Sequence, residues 1–547
     1  MNRTVVSDMR SYVKNHYKLM IVSAVLILLC YGYMALCGNL RIDTEVLINN
    51  PGSDMNWDTI GRFGLVFLKR ILGLSTHHTI WSGMLFLLFF YLQMQLFLFL
   101  VYHFSNRNEN YPYWIGAILY GTSNLWCFQV YFSLQQGEIA CAMLLVMIAA
   151  ALSIKAFCAP VEHNSLIENN VSEETKRQCG NVKKTMMFAV VSAILLVVGF
   201  GAYQAFVSFY IAICICLFLV NLMEHWKNQK EAAMREENRY VVLGIGKLLL
   251  HFVVTYAVYS FITKKWFTAS DYLNSQKAWG NTPFTTCVKE ILKVIKRAVF
   301  MEGVENFSFY TIGGVLVIIA LIVLCKKRIQ KNKFQLVIYV LALTALALTP
   351  FLLNIYTGGK TVTRSQFALP VVAAFCGMLA LYQIKMWKPE WKWFVGGGKV
   401  FAVLAAIVQI MMCLVLTYTD YVRNEQDITK TETIVEYLQE ANGGKMPETL
   451  IVFVGAQSPE LSKGCVRAEM FGWSFYEWDF HPSNPTGATH RSVGVIRAYT
   501  GYDLKDAPNE EQKARAIEIA AGLEDFPAEN CVKILDDMVV VRLSAVE

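Results

Sequence analysis

Charge is scarce in this chain, and several familiar signatures are missing altogether. Only 17% of its 547 residues are Asp, Glu, Lys or Arg, against about a quarter in an average soluble domain. The fourteen cysteines contain no CxxC pair and no companion histidine spacing, so nothing supports a metal-cluster protein. The GxxxxGK spacing of a phosphate-cradling nucleotide loop is absent. There is no internal repeat and no low-complexity tract. What is present is apolar: 55% of residues are hydrophobic and 13% aromatic, with a positive mean hydropathy. That composition describes a multi-span membrane protein.

A span needs ~20 apolar residues, and eleven segments qualify as expected spans: Leu19–Cys37, Ile80–Tyr102, Tyr113–Tyr131, Ile139–Cys158, Met186–Gly201, Phe206–Met223, Val241–Ile262, Phe309–Cys325, Phe334–Asn354, Phe367–Ile384 and Val400–Thr419. The first is long and lacks a small-residue cleavage site, so it reads as a retained helix. Lys and Arg concentrate in the N-terminal tail (Arg3, Arg10, Lys14, Lys18) and in later alternate loops, including Lys183, Lys184, Lys227, Arg235 and the Lys326–Lys333 run. The positive-inside rule makes that side cytoplasmic and predicts that the intervening loops face outward. The formal net charge of +7 follows from this bias, and no nucleic-acid partner is needed to explain it. From residue 420 onward the chain changes character. A polar helix around Thr431–Glu440 precedes the β-rich run Leu450–Gly455, and Val532–Leu543 reads as a strand pair turned at Asp536-Asp537. The expected architecture is an α-helical polytopic membrane domain over 1–419 with a small extracytoplasmic α/β domain over 420–547. Cys465 and Cys531 both fall in that outer region, where a disulfide is chemically allowed.

Two connecting loops have helical periodicity and read as surface helices: Ile60, Phe63, Phe67, Ile71 and Leu72 share one face, and Val288, Ile291, Leu292, Ile295 and Val299 another. Lys289, Lys293, Lys296 and Arg297 accompany the second, a polar face that suits water and anionic head groups. The chemistry-bearing residues cluster in the same outer loops. Asp43 and Glu45 lie just past the first span, where a carboxylate can take a proton from a sugar hydroxyl or stabilise charge at an anomeric carbon. Arg41 and Arg62 are expected to keep Asp43 charged, and Asp54 and Asp58 read as loop acids. Tyr203 and Gln204 form a tight corner between spans, offering hydroxyl and amide groups to a sugar or pyrophosphate. Gly358 and Gly359 with Lys360 and Arg364 make a flexible basic loop suited to phosphate. His77-His78 reads as interfacial, and Lys247 with His251 as either the mark of a polar cavity or a snorkelling lysine. Trp473, Tyr476 and Trp478, near Asp479 and His481, offer stacking faces to a sugar or fill an ordinary small core.

The order of these features resembles a known family: Asp43 and Glu45 after the first span, then Trp57, Gly61 and Arg62, the Ala202-Tyr203-Gln204 corner, an Arg before a late span, and an outer C-terminal domain. Together they look like the Gtr type II membrane glucosyltransferases of the GT-C class. That resemblance implies a GT-C-like bundle of about eleven transmembrane helices. It implies a glycosyltransferase that moves a sugar, glucose by family, from an undecaprenyl-phosphate donor to a cell-wall or O-antigen-type polysaccharide on the outer face of a bacterial plasma membrane. Asp43 would be the catalytic base with Glu45 orienting it or acting in its place, since Thr44 separates acids that are commonly adjacent in the family. Arg62, Lys360 and Arg364 would meet the phosphate, and Tyr203 and Gln204 the sugar. No cofactor is required, although the acids leave room for a Mg²⁺ or Mn²⁺. A donor-lipid synthase and a flippase would act upstream. The competing reading is a polytopic transporter or lipid-linked sugar flippase, which internal repeats and broken mid-membrane helices would favour.

Overall fold

The computed structural model describes residues 4–53, 55, 57–105, 111–158, 171–228, 234–267, 277–328, 333–359 and 361–546. Among these, ten helices are long and apolar enough to cross a membrane. Helix α1 (Val5–Ile27) is capped by the Thr4 hydroxyl, which accepts from the Ser7 N–H, and it continues through a π turn to Leu36. Two short helices follow, α2 (Thr44–Asn49) and α3 (Phe63–Ile71). The bundle proceeds through α4 (Thr79–Phe104), α5 (Tyr113–Gly121), α6 (Leu125–Val130), α7 (Gln136–Phe157), α8 (Val171–Ala202), α9 (Phe206–Asn228) and α10 (Met234–Trp266). After the amphipathic α11 (Phe284–Phe300) come α12 (Tyr310–Arg328), α13 (Lys333–Leu348), α14 (Ala368–Trp387) and α15 (Lys392–Ala441).

The third expected span, Tyr113–Tyr131, is not one helix. It breaks into α5 and α6 at Thr122–Asn124. The apolar composition of the segment hides the break, because every residue from Ile115 to Met143 is buried in protein. Broken backbone at membrane depth survives only when neighbours satisfy the freed backbone groups, and two of its carbonyls find partners on other helices. The Ser123 carbonyl accepts from the Tyr31 hydroxyl at 2.7 Å, and the Thr122 carbonyl accepts from the Cys413 thiol on α15 at 3.6 Å.

The C-terminal region is built on α15, which joins the last expected span and the polar helix beyond it into a single rod of 50 residues. A three-stranded sheet follows in the order β1-β3-β2, from β1 (Leu450–Val454), β2 (Val532–Ile534) and β3 (Met538–Arg542). Strands β1 and β3 are parallel and β2 is antiparallel to β3, so the expected strand pair forms around Asp536-Asp537. Helix α16 (Thr489–Thr500) packs on β1, and α17 (Glu510–Ala520), with a capping box between Asn509 and Gln512, covers β1 and β3. Cys465 and Cys531 are both free thiols, Cys531 buried within this region.

Both amphipathic stretches form helices, each with a refinement. In α3, Phe67 and Ile71 are exposed, as a lipid-facing stripe would be, but Lys69 is buried rather than solvated. In α11 the packed face is Cys287, Ile291, Val294 and Ala298, about one residue round from the expected stripe, because it seats against Phe351 and Tyr310. Leu292, Phe284 and Phe300 stay exposed.

Helix α3 meets α8 through glycine. A Cβ on Gly64 would lie 2.2 Å from the Val198 carbonyl oxygen, so the two backbones are as close as they can be. Gly64→Ala is expected to separate α3 from α8 and cost about 1–3 kcal/mol through overpacking. A melting curve in detergent that matches wild type would show that the contact tolerates a side chain.

Candidate active site

The loops that carry the sequence-marked residues meet at one end of the bundle. Gln204 donates to the Ile60 carbonyl at 2.6 Å, Tyr259 at the end of α10 donates to the Gly61 carbonyl at 3.2 Å, and Arg491 of the C-terminal region pairs with Asp43 at 2.8 Å. The N-terminal half of α1 lies at the other end, where Asp8 pairs with His103 at 2.7 Å.

Asp43 precedes the first residue of α2 in a left-handed backbone conformation, φ 68°. A non-glycine residue there costs on the order of 1–3 kcal/mol and persists only where its surroundings impose it. The turn sends the two carboxylates toward one cation. Nη1 of Arg491, on α16, lies 2.8 Å from Asp43 Oδ1 and 2.6 Å from Glu45 Oε1. Its Nε donates to Asp479 Oδ2 at 2.9 Å, and Asp479 also has a left-handed φ, 67°. One guanidinium thus spans three acids.

Their surroundings differ. Asp43 keeps about a third of its side chain exposed (31%), whereas Glu45 is almost fully buried and its Oε2 has no hydrogen-bond partner. Burial pushes the Glu45 carboxyl above the usual range, Arg491 pulls it back, and the neighbouring Asp43 charge adds to the rise. Burial works against the Arg491 charge, yet Glu45 and Asp43 hold its pKa above the ordinary arginine value. Among the described residues no group of three or more His, Cys, Asp or Glu side chains is arranged as a metal site. Asp43 and Glu45 face a shared guanidinium instead.

A second cluster surrounds the Ile60–Arg62 turn. The Arg62 guanidinium lies 4.6 Å from the centre of the Tyr203 ring, and Phe367 packs edge-on against the other side of that corner at 5.6 Å. Gly61 sits at φ 77°, where a Cβ would come within 3.1 Å of Gln204 Nε2, so the turn and the corner are fitted to each other.

The family model for the glucosyl transferase GtrII matches residues 32–381. The chain belongs to the GtrII glucosyltransferases. Neither a curated protein nor a solved structure matches it. The GtrII match covers Asp43, Glu45, Arg62, Tyr203, Gln204, Lys360 and Arg364, while Asp479 and Arg491 lie beyond it.

Within this multi-pass GtrII protein the expected site residues fall into three places. Asp43 and Glu45 come together on Arg491. Arg62, Tyr203 and Gln204 come together at the α8–α9 corner. Arg364 lies 3.9 Å from the centre of the Phe132 ring and 3.6 Å from Glu469, whose carboxylate also accepts from the Thr363 N–H. Lys360 and Asp54 fall outside the described residues. Arg41 does not serve Asp43: it is fully buried and turned to Asp420 on α15.

The connector between α6 and α7 links these places, and no reading of the sequence above named it. Ser133 lies 3.3 Å from the Thr44 hydroxyl between the two acids, Phe132 underlies Arg364, and the Leu134 carbonyl accepts from Lys69 at 2.6 Å. Lys69 also pairs with Glu138 at 2.6 Å and lies 4.9 Å from the Trp57 ring centre. The signal available was the polar run Ser133–Glu138 inside an apolar stretch, since an ionisable residue beside a span is functional or paired by default. Arg491 had no local signal at all. His77 and His78 lie at the start of α4, and burial followed by the Lys69 charge pushes His77 down to about 4. Lys247 is exposed on α10 and His251 lies 3.3 Å from Ser192, so the two mark no shared polar cavity. Tyr476 is core, bonded to Thr431, while Trp473 is partly exposed beside Trp478.

Proposed function

We propose that this GtrII protein transfers glucose from an undecaprenyl-phosphate-linked donor to a cell-surface polysaccharide on the extracytoplasmic face of a bacterial plasma membrane. The observation that carries the reading is the partly exposed Asp43 beside buried Glu45, held at the bundle end opposite the N-terminal half of α1. The Lys and Arg bias of the N-terminal tail and alternate loops supports a cytoplasmic N-terminus and an outward site.

In this mechanism Asp43 takes the proton of an acceptor hydroxyl as its oxygen attacks C1 of the donor sugar. The C1–O bond to phosphate breaks, the electron pair leaves on the phosphate oxygen, and the products are polyprenyl phosphate and the extended polysaccharide. Negative charge concentrates on the leaving phosphate, which is where cationic groups lower the barrier. Arg62, Arg364 and Lys360 take that role, with Tyr203 and Gln204 along the sugar. A donor assembled at the cytoplasmic face implies a donor-lipid synthase and a flippase upstream.

Purified protein incubated with a polysaccharide acceptor should consume undecaprenyl-phosphate glucose and leave UDP-glucose untouched. Transfer from the nucleotide sugar instead would sink the donor assignment. Arg62→Ala should raise the donor KM about 10–100-fold, the worth of one charge-assisted contact to phosphate, with a smaller change in kcat. An unchanged KM would remove Arg62 from the donor site.

A further inference from the structure

The acids of the first loop are coordinated by a residue from the far end of the chain. Nη1 of Arg491 is shared between Asp43 and Glu45, and Nε is turned to Asp479, so the guanidinium is fixed on two sides. The Arg491 side chain is only 15% exposed, and a Cβ on Gly494, one turn further along α16, would come within 3.1 Å of Glu45 Cγ. The N–H groups of Asn49 close the same contact, donating to the Gly494 carbonyl at 2.9 Å. Helix α16 is therefore seated on α2 closely enough to set the direction of both carboxylates. Arg491 Nη1 lies 2.8 Å from Asp43 Oδ1, and the Asp43 side chain keeps 31% of its surface exposed.

We propose that Arg491 is a positioning residue for glycosyl transfer, holding Asp43 and Glu45 as a paired dicarboxylate and leaving the exposed part of the Asp43 carboxylate to the acceptor hydroxyl. This rests on the base role given to Asp43 above. Two carboxylates this close compete for ionisation, and a cation between them favours the form in which both are charged. The charged groups facing Glu45 are few. They are Asp43 on its own loop, Arg491 and His490 on α16, and Asp479 beyond Arg491, with His490 itself paired to Asp506 at 2.7 Å. From the α6–α7 connector the group that faces α2 is the Ser133 hydroxyl. Arg491 supplies the permanent positive charge of the set, and it comes from outside the stretch matched by the family model.

The test is the pH–rate profile of full-length protein with undecaprenyl-phosphate glucose and polysaccharide, comparing wild type, Arg491→Gln and Arg491→Lys. Losing a cation raises the pKa of a nearby carboxylate, and the active form is the ionised one, so the acid limb of the Arg491→Gln profile should move to higher pH by about one to three units. Its kcat at neutral pH should fall ~100-fold, the scale of a misdirected reacting group, with donor KM little changed. Arg491→Lys should recover the position of the acid limb while kcat stays reduced, because an ammonium keeps the charge and loses the fork. Activity is normalised to protein that elutes as a single folded species. An Arg491→Gln enzyme whose folded fraction has the wild-type acid limb overturns the proposal and leaves the base role of Asp43 standing. A wild-type enzyme that transfers nothing from the lipid donor overturns both.

Discussion

Asp43→Asn is expected to abolish most transfer while leaving the protein folded. A positioned general base is worth ~10²–10⁴ in rate, so kcat should fall by that factor with little change in donor KM. Asparagine is the informative replacement because it tolerates the left-handed conformation that Asp43 adopts (φ 68°). It also keeps a carbonyl oxygen for the Arg491 Nη1 that Asp43 Oδ1 now meets at 2.8 Å. What it loses is the capacity to take a proton. Glu45→Gln makes the comparison, since Glu45 is buried and its Oε1 is already committed to Arg491 at 2.6 Å. The smaller defect should belong to Glu45→Gln. Wild-type turnover by Asp43→Asn, or a deeper loss in Glu45→Gln, would transfer the base role to Glu45.

Asp420→Leu is expected to be the most damaging single change to stability. Asp420 is buried on α15, where its Oδ2 accepts from Arg41 Nε and Nη2 at 3.0 and 2.9 Å and from Asn39 at 3.1 Å. Its Oδ1 accepts from Arg423 at 2.7 Å, and Arg423 reaches the Leu40 carbonyl at 2.7 Å and Asp427 at 3.4 Å. Asp427 in turn accepts from the Ser474 hydroxyl and from the Phe475 N–H at 3.3 Å. The chain of charges therefore ties the segment after α1, the long helix and the C-terminal region together. Removing one partner strands Arg41, which has no exposed surface, and a buried unpaired charge costs about 3–5 kcal/mol. Folded yield and the melting temperature in detergent should both drop steeply. The double change Arg41→Met with Asp420→Leu should recover part of the loss, because two apolar side chains leave no uncompensated charge. A single variant that melts like wild type would show that the ladder contributes little to holding the domain.

Hydropathy made the bundle legible because a span writes its length into consecutive residues, and the short continuous apolar runs at Leu450 and Met538 did the same for the sheet. The Tyr203–Gln204 corner and Arg62 were also found by type and order, and they do meet. Pairings over distance left no such trace. Arg491 and Glu45 are 446 positions apart, and Arg41 and Asp420 are 379 apart. Arg41 stands two residues before Asp43 and was the natural partner to expect. The left-handed turn at Asp43 and the burial of Arg41 send the two side chains to different elements instead. The break in the third expected span was equally silent, since Gly121-Thr122-Ser123-Asn124 interrupts an apolar stretch too briefly to lower its hydropathy.

Helix α15 runs unbroken for 50 residues, or about 75 Å at 1.5 Å per residue, more than twice the ~30 Å of a hydrocarbon core. Its far half is consequently a driveshaft, rigidly geared to the membrane half. Inserting one residue after Arg423 would rotate everything beyond it by about 100° and advance it about 1.5 Å, swinging Arg491 out of reach of Asp43 although no side chain at the site had changed. The length of this rod is thus as much a part of the acid cluster as the acids themselves.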